Sequence, residues 1–318
     1  MSAFYDKLKS YKADGKAYVI AEVGSNWRTR QDLLSSVMIA KACGADAVKF
    51  QYLDPSELYG PVAQIDKTFP LSALREKCDA AGIDFLCSSF SPEGLKEVNK
   101  YVDAHKIASS EMSHLRLLEA AKATGKTILL STGAYFMTDV VRVIQFLSGA
   151  EVVPLHCNVS YPTKHVNLKK FESLKVLAGV VGYSDHTTNI DAVPVLMQSL
   201  GATVYEKHFN PFGYTNTPDA PHSLNADEFK CMVTNLRGVP NDYTEENEAR
   251  LMFVRRVIAL KDLQVGDTLK EGDNMGIFRS KVADANGANP FLITRLEGKR
   301  MNKVLAQGAG ISAVDVQV

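Results

Sequence analysis

Two histidines close matching apolar runs late in the chain, His186 in Tyr183-Ser-Asp-His-Thr187 and His208 in Tyr205-Glu-Lys-His-Phe209. If those runs are neighbouring strands, about 4.8 Å apart, the two imidazoles can share one divalent cation. Two nitrogen ligands with open positions suit Mn, Fe, Co or Zn acting as a Lewis acid; the alternative is a pair of hydrogen-bonded core histidines. His156, in Pro154-Leu-His-Cys157, ends an earlier run and is expected behind the ligands, with a third-ligand role as the other option. Lys49 and Lys106 end two further apolar stretches, Ala47-Val-Lys-Phe50 and Lys106-Ile-Ala-Ser109. A buried ammonium needs an anion. With Ser88, Ser109, Ser131 and Ser184 at matching heights, the lysines form a site for a phosphate, a carboxylate or both. The competing reading pairs both lysines internally with Glu22, Glu111 or Glu206. Glu22, Gln51, Glu111, Tyr161 and Asp219 complete the set, as groups that orient hydroxyls or act as acid or base, or that pair with the lysines.

What could bring these groups together is a rhythm of eight short apolar runs, each stopping at a polar residue. The strands are expected at 17–23, 47–50, 84–87, 105–107, 127–130, 152–155, 180–183 and 204–207. Between them lie segments of helical period, as in 31–43, where Leu33, Leu34, Val37 and Ala40 recur at three- and four-residue spacing. Helices are likewise expected over 71–81, 92–101, 115–124, 137–147, 168–177, 190–200 and 226–236. Eight strand–helix units in about 220 residues fit a closed (β/α)8 TIM barrel better than an open doubly wound sheet. Gly24 stands alone after the first strand, so no dinucleotide fingerprint supports the open sheet. In a barrel, the C-terminal strand ends share one mouth.

The 318 residues suggest one large domain and a small appendage. The barrel is assigned to 1–236 and a polar linker with a glutamate patch (Glu245, Glu246, Glu248) to 237–252. A β-rich domain over 253–318 has short strands at 257–259, 274–277 and 303–305. Thirty-six basic residues balance thirty-six acidic ones, so no global charge points to nucleic acid or an anionic membrane. No apolar stretch approaches the roughly 20 residues that span a bilayer, and the N-terminus lacks a signal-peptide core; a soluble cytoplasmic protein is expected. Five scattered cysteines without a CxxC pair read as reduced, packed thiols.

Seven segments in register, Ala21-Glu-Val-Gly-Ser-Asn26, Asp46-Ala-Val-Lys-Phe-Gln51, Lys106-Ile-Ala-Ser-Ser-Glu111, Leu130-Ser-Thr-Gly133, Leu155-His-Cys157 with Tyr161-Pro162, Tyr183-Ser-Asp-His-Thr187 and Glu206-Lys-His-Phe209, resemble the sialic acid (N-acetylneuraminate) synthase family. The tail, with Arg255-Arg-Val-Ile-Ala259 and Gly298-Lys-Arg300, is similar to that family's C-terminal SAF (antifreeze-like) domain. The resemblance implies a transferase that condenses phosphoenolpyruvate with an open-chain N-acetylated hexosamine, with release of phosphate and a divalent metal, Mn²⁺ or else Mg²⁺ or Co²⁺. It implies that Lys49, Ser88, Lys106, Ser109, Ser131 and Ser184 hold phosphoenolpyruvate and that His186 and His208 hold the metal. Gln51, Tyr161 and Arg279 would contact the sugar. Glu22, Asp219 and Glu111 form the catalytic set, with Glu22 or Asp219 nominated for proton transfer. It also implies a domain-swapped homodimer in which Arg279 of one chain reaches the other's barrel.

Departures from the family pattern bear on the sugar. The chain reads Asn26-Trp27-Arg28 where the family has Asn-His, and Asp219-Ala220 where it has Asp-His, with a histidine displaced to His222. Trp27 could close on a different sugar, so the acceptor is N-acetylmannosamine or a diamino-dideoxy hexose, as used for legionaminic or pseudaminic acid. Two other functions compete: a phosphoenolpyruvate-dependent synthase for a phosphorylated sugar, for which only Arg28 and Arg30 are at hand, and a non-catalytic carbohydrate-binding barrel.

Overall fold

The structure, a computed structural model, describes residues 2–53, 69–237, 255–279 and 287–317. The chain divides into two compact units, Met1–Val239 and Pro240–Val318.

In the first unit eight parallel strands close on themselves: β1 (Tyr18–Glu22), β2 (Ala47–Tyr52), β3 (Asp84–Ser89), β4 (Ala104–Ile107), β5 (Ile128–Ser131), β6 (Val152–His156), β7 (Gly182–Asp185) and β8 (Val204–His208), with β8 pairing back onto β1. The expected (β/α)8 barrel is therefore present. Its helices are α1 (Ala3–Ala13), α2 (Arg30–Ala42), α3 (Leu71–Ala81), α4 (Pro92–Val98), α5 (Leu115–Ala123), α6 (Met137–Phe146), α7 (Leu168–Leu177), α8 (Ala192–Ser199) and α9 (Ala226–Arg237). Strand ends differ from the apolar runs by a residue or two, because the hydrogen-bond ladder rather than side-chain polarity sets them. β7 shifts most, beginning where Gly182 pairs with Val204.

Strand alternation splits the core into two layers. Val19, Ala21, Val48, Phe50 and Phe85 face the helices, whereas Tyr18, Ile20, Ala47, Leu86, Leu129, Val153 and Val204 fill the barrel. Phe4 and Leu8 of α1 belong to the inner layer. The strand–helix rhythm begins only at β1 and does not announce this helix, although Phe4, Leu8 and Tyr11 have helical spacing. Ser2 caps it, its hydroxyl accepting from the Tyr5 N–H. With apolar side chains filling the N-terminal ends of the strands, the polar inward positions fall at the C-terminal ends.

The second unit has its own core around Val257, Leu269, Met275, Ile293, Met301 and Ile311. β9 (Arg255–Ala259) and β10 (Met275–Arg279) pair antiparallel, and α10 (Ile293–Leu296) adds one turn. The strand expected at 303–305 is reduced to a single bridge between Leu263 and Leu305, since no longer ladder forms there. The linker assigned to 237–252 lies outside the described residues except for Arg237, which ends α9. No helix among the described residues is long and apolar enough to cross a membrane.

Candidate active site

Register places the polar strand ends side by side. Glu22 is level with Lys49 on one side and His208 on the other; Gln51 is level with Ser88, Ser88 with Lys106, and Ser184 with Glu206. These residues, with Ser109, Ser131, Cys157, Tyr161 and His186, line a cavity of about 80 Å³ at the C-terminal mouth. Glu111 is buried in the short 3-10 turn after β4 and does not line it. Arg279 ends β10 in the second unit, where it is exposed.

Both lysines are paired internally, the competing expectation for them. Lys49 Nζ lies 2.6 Å from Glu22 Oε2 and donates to Ser88 Oγ at 3.1 Å. Lys106 Nζ donates to Glu206 Oε1 at 3.0 Å, and Ser184 Oγ donates to the same oxygen at 3.0 Å. Burial alone would raise the Glu206 carboxyl, but Lys106 and Lys49 outweigh it and hold it down at about 2. For Glu22 the balance runs the other way: burial, joined by the charge of Glu206, raises its carboxyl despite Lys49. Two cations and two carboxyls thus share one desolvated space in which Glu22 is the easier to protonate. Glu206 is central to this network, a role that sequence alone does not separate from that of any other strand-end carboxylate.

The other side of the mouth is histidine-rich. His186 donates from Nδ1 to the Asn158 carbonyl at 2.7 Å, which leaves Nε2 with its lone pair. Burial pushes its imidazole down to about 4 and that of His208 well below the ordinary value, so both stay neutral. The His186 and His208 ring centroids are 5.6 Å apart, and the Tyr161 ring lies 4.4 Å from that of His186. Asp219 accepts from the Ser25 N–H at 2.7 Å, and His222 follows it by three residues in a 3-10 turn. Candidate ligand atoms of His208, Asp219 and His222 all lie within 4.8 Å of one another. The neutral His208 imidazole beside a carboxylate, its Nδ1 buried and without a hydrogen bond, fits a divalent transition ion.

His156 is on the wrong face to stand behind these groups. Val153 and Leu155 fill the barrel, so His156 points out between Phe171 and Tyr183, with ring centroids 6.4 and 5.6 Å away. Trp27 packs edge-on against Phe69 in the helix-facing layer, centroids 6.1 Å apart. Cys157, read from sequence as a packed thiol, is buried but also lines the cavity, with Sγ 3.0 Å from Ser109 Oγ. Ser109 Oγ also accepts from the Gly133 N–H.

Residues 63–248, more than half the chain, match the NeuB family. A pseudaminic acid synthase of Campylobacter jejuni is 28% identical, over 98% of this chain and 100% of its own. An N,N'-diacetyllegionaminic acid synthase of the same organism is 30% identical, over 81% and 89%. The crystal structure of an N-acetylneuraminic acid synthetase from Leptospira borgpetersenii, in complex with citrate, is 27% identical, covers 75% of this chain and 92% of its own, and superposes with a TM-score of 0.65.

Proposed function

Since the chain belongs to the NeuB family, we propose that it condenses phosphoenolpyruvate with the open-chain aldehyde of an N-acetylated hexosamine, giving a nonulosonic acid and phosphate. The observation that carries this reading is the union, in one cavity, of two buried lysines and four serines with a histidine pair. An enol phosphate and an aldehyde need those two halves.

In this reading Lys49 and Lys106, with Ser88, Ser109, Ser131 and Ser184, bind the phosphate and carboxylate. Because Glu22 and Glu206 already balance the lysines, entry of the anion favours proton uptake, and Glu22 is the group whose carboxyl burial raises. Gln51 donates to Glu22 Oε1 at 2.8 Å and steadies it. C3 of the enol phosphate attacks the aldehyde carbon and forms the new C–C bond, while a proton reaches the aldehyde oxygen. Water then adds to the C2 cation, and the C2–O bond breaks as phosphate leaves. Glu22 or Asp219 moves these protons, and Tyr161 and Arg279 face the sugar. His186 and His208 would hold a divalent cation, Mn²⁺ with Mg²⁺ or Co²⁺ as alternatives; when bound it supplies Lewis-acid polarisation of the aldehyde.

A diamino-dideoxy hexose is favoured over N-acetylmannosamine, because the pseudaminic acid synthase matches over essentially its whole length. A phosphorylated acceptor is disfavoured: the Arg28 guanidinium lies over the Tyr214 ring at 4.1 Å and hydrogen-bonds Asn216, so it is already engaged. The tail is taken as an SAF-like domain that serves the partner of a homodimer. Phosphate release from phosphoenolpyruvate with Mn²⁺ tests the reading on a panel of N-acetylmannosamine, N-acetylated diamino-dideoxy hexoses and sugar phosphates. Release with an N-acetylated hexosamine is expected. Saturable phosphoenolpyruvate binding without release on any hexosamine would refute it.

A further inference from the structure

The geometry points to His222 as a metal ligand: we propose that the divalent cation sits among His208, Asp219 and His222, and is not held by the His186–His208 pair alone. It rests on the metal-dependent reading above for its role, though its test is one of binding. His208 Nδ1 is 3.7 Å from Asp219 Oδ2, and His222 Nε2 is 3.6 Å from Asp219 Oδ1. Both separations exceed the roughly 3.2 Å limit of a good N–H···O bond. With metal–ligand distances of about 2.1 Å, the edge between two ligands of a tetrahedral ion is about 3.4 Å, close to the spacing seen.

The unpartnered nitrogens argue the same way. His222 is only 3% exposed, and neither of its ring nitrogens has a hydrogen-bond partner; His208 Nδ1 is also buried without one. A buried imidazole with both nitrogens unsatisfied costs about 1–3 kcal/mol for each group, which coordination would offset in part. The 3-10 turn over Ala220–His222 brings positions 219 and 222 to one face, because its period is three residues. The Ser25 N–H fixes the carboxylate from behind, and the Tyr161 ring, centred 5.0 Å from that of His222, covers the imidazole. Two imidazoles and a carboxylate leave positions open for water and substrate, the pattern of a catalytic rather than a structural site. Asp219 is then occupied as a ligand, so proton transfer falls to Glu22.

Mn²⁺ binding to the full-length, metal-stripped protein, followed through the electron paramagnetic resonance signal of free Mn²⁺, tests this. The wild type is expected to bind one ion per chain. His222→Phe, which preserves packing under Tyr161, is expected to weaken binding at least about tenfold, and more than His186→Ala does. His222→Cys should shift preference toward Cd²⁺, because a thiolate replaces an imidazole. This gain of function survives even if the Phe variant folds poorly. Wild-type Mn²⁺ affinity in His222→Phe, or loss of binding confined to His186→Ala, would overturn the assignment. The two readings separate cleanly. Ion binding through His222 in a chain that releases no phosphate refutes the condensation and leaves the site. Unchanged Mn²⁺-dependent phosphate release in His222→Phe refutes the site and leaves the condensation.

Discussion

Gly24 has a φ of +54°, and a Cβ built on it would lie 2.2 Å from Asp219 Oδ2 and 3.3 Å from His208 Nδ1. Only a residue without a side chain lets the carboxylate reach the Ser25 N–H while standing beside His208. Gly24→Ala is therefore expected to cost about 1–2 kcal/mol in backbone strain and to push Asp219 off its position as well. A lowered melting temperature together with weaker Mn²⁺ binding checks this; an alanine variant with wild-type Mn²⁺ affinity would show that the carboxylate is not held there. At this scale legibility follows the range of the interaction. That Lys49, Ser88, Lys106, Ser131, Ser184 and His208 share a mouth can be read from local strand parity, which depends only on neighbours in the chain. The approach of Gly24 to Asp219 joins residues far apart in sequence, and the partners of Glu206 come from three strands. Neither leaves a local pattern. His222 left one, its three-residue spacing from Asp219, but that spacing gains meaning only once a 3-10 turn is known to be there.

Elements decide which face a residue serves, and β6 shows the consequence most sharply. A shift of one position separates Leu155, inside the barrel, from His156, packed outside it. Sequence order alone suggests that His156 stands behind the metal site, because its run precedes those of His186 and His208; parity overrules adjacency. His156 and His105 lie outside the described site, and burial lowers both imidazoles from 6.5 to about 4. A folded-state value depressed below the unfolded one means that the unfolded chain binds more protons between the two. The stability they contribute is thus fully present above about pH 6.5 and is lost as pH falls through about 4. The urea midpoint is expected to decline over that window. In His156→Phe, which keeps an aromatic ring against Phe171 and Tyr183 but cannot titrate, the decline should be shallower; an identical pH profile would show that His156 carries none of the acid sensitivity. Helix α1 escapes the pattern for a related reason: the alternation that reveals the barrel starts at β1, and a helix that fills the barrel's end precedes it.

For the whole molecule, the barrel was legible because eight repeats of strand and helix leave few other topologies, whereas the service of the tail is not a matter of local pattern at all. Among the described residues each unit has its own apolar core, the second built around Val257, Met275 and Ile311. If its Arg279 acts on the partner's barrel, every active site of a dimer is built from two chains. Glu22→Gln removes the nominated proton donor from the barrel, and Arg279→Ala removes the guanidinium from the tail; each homodimer should be strongly impaired. In a mixed dimer of the two variants, one site receives both lesions and the other neither. Random exchange between equal amounts should therefore restore about a quarter of wild-type turnover. An arginine acting within its own chain predicts that every site of every dimer carries a lesion, so the mixture would show only the average of the two homodimers. Full turnover by the Arg279→Ala homodimer would remove this arginine from the site altogether.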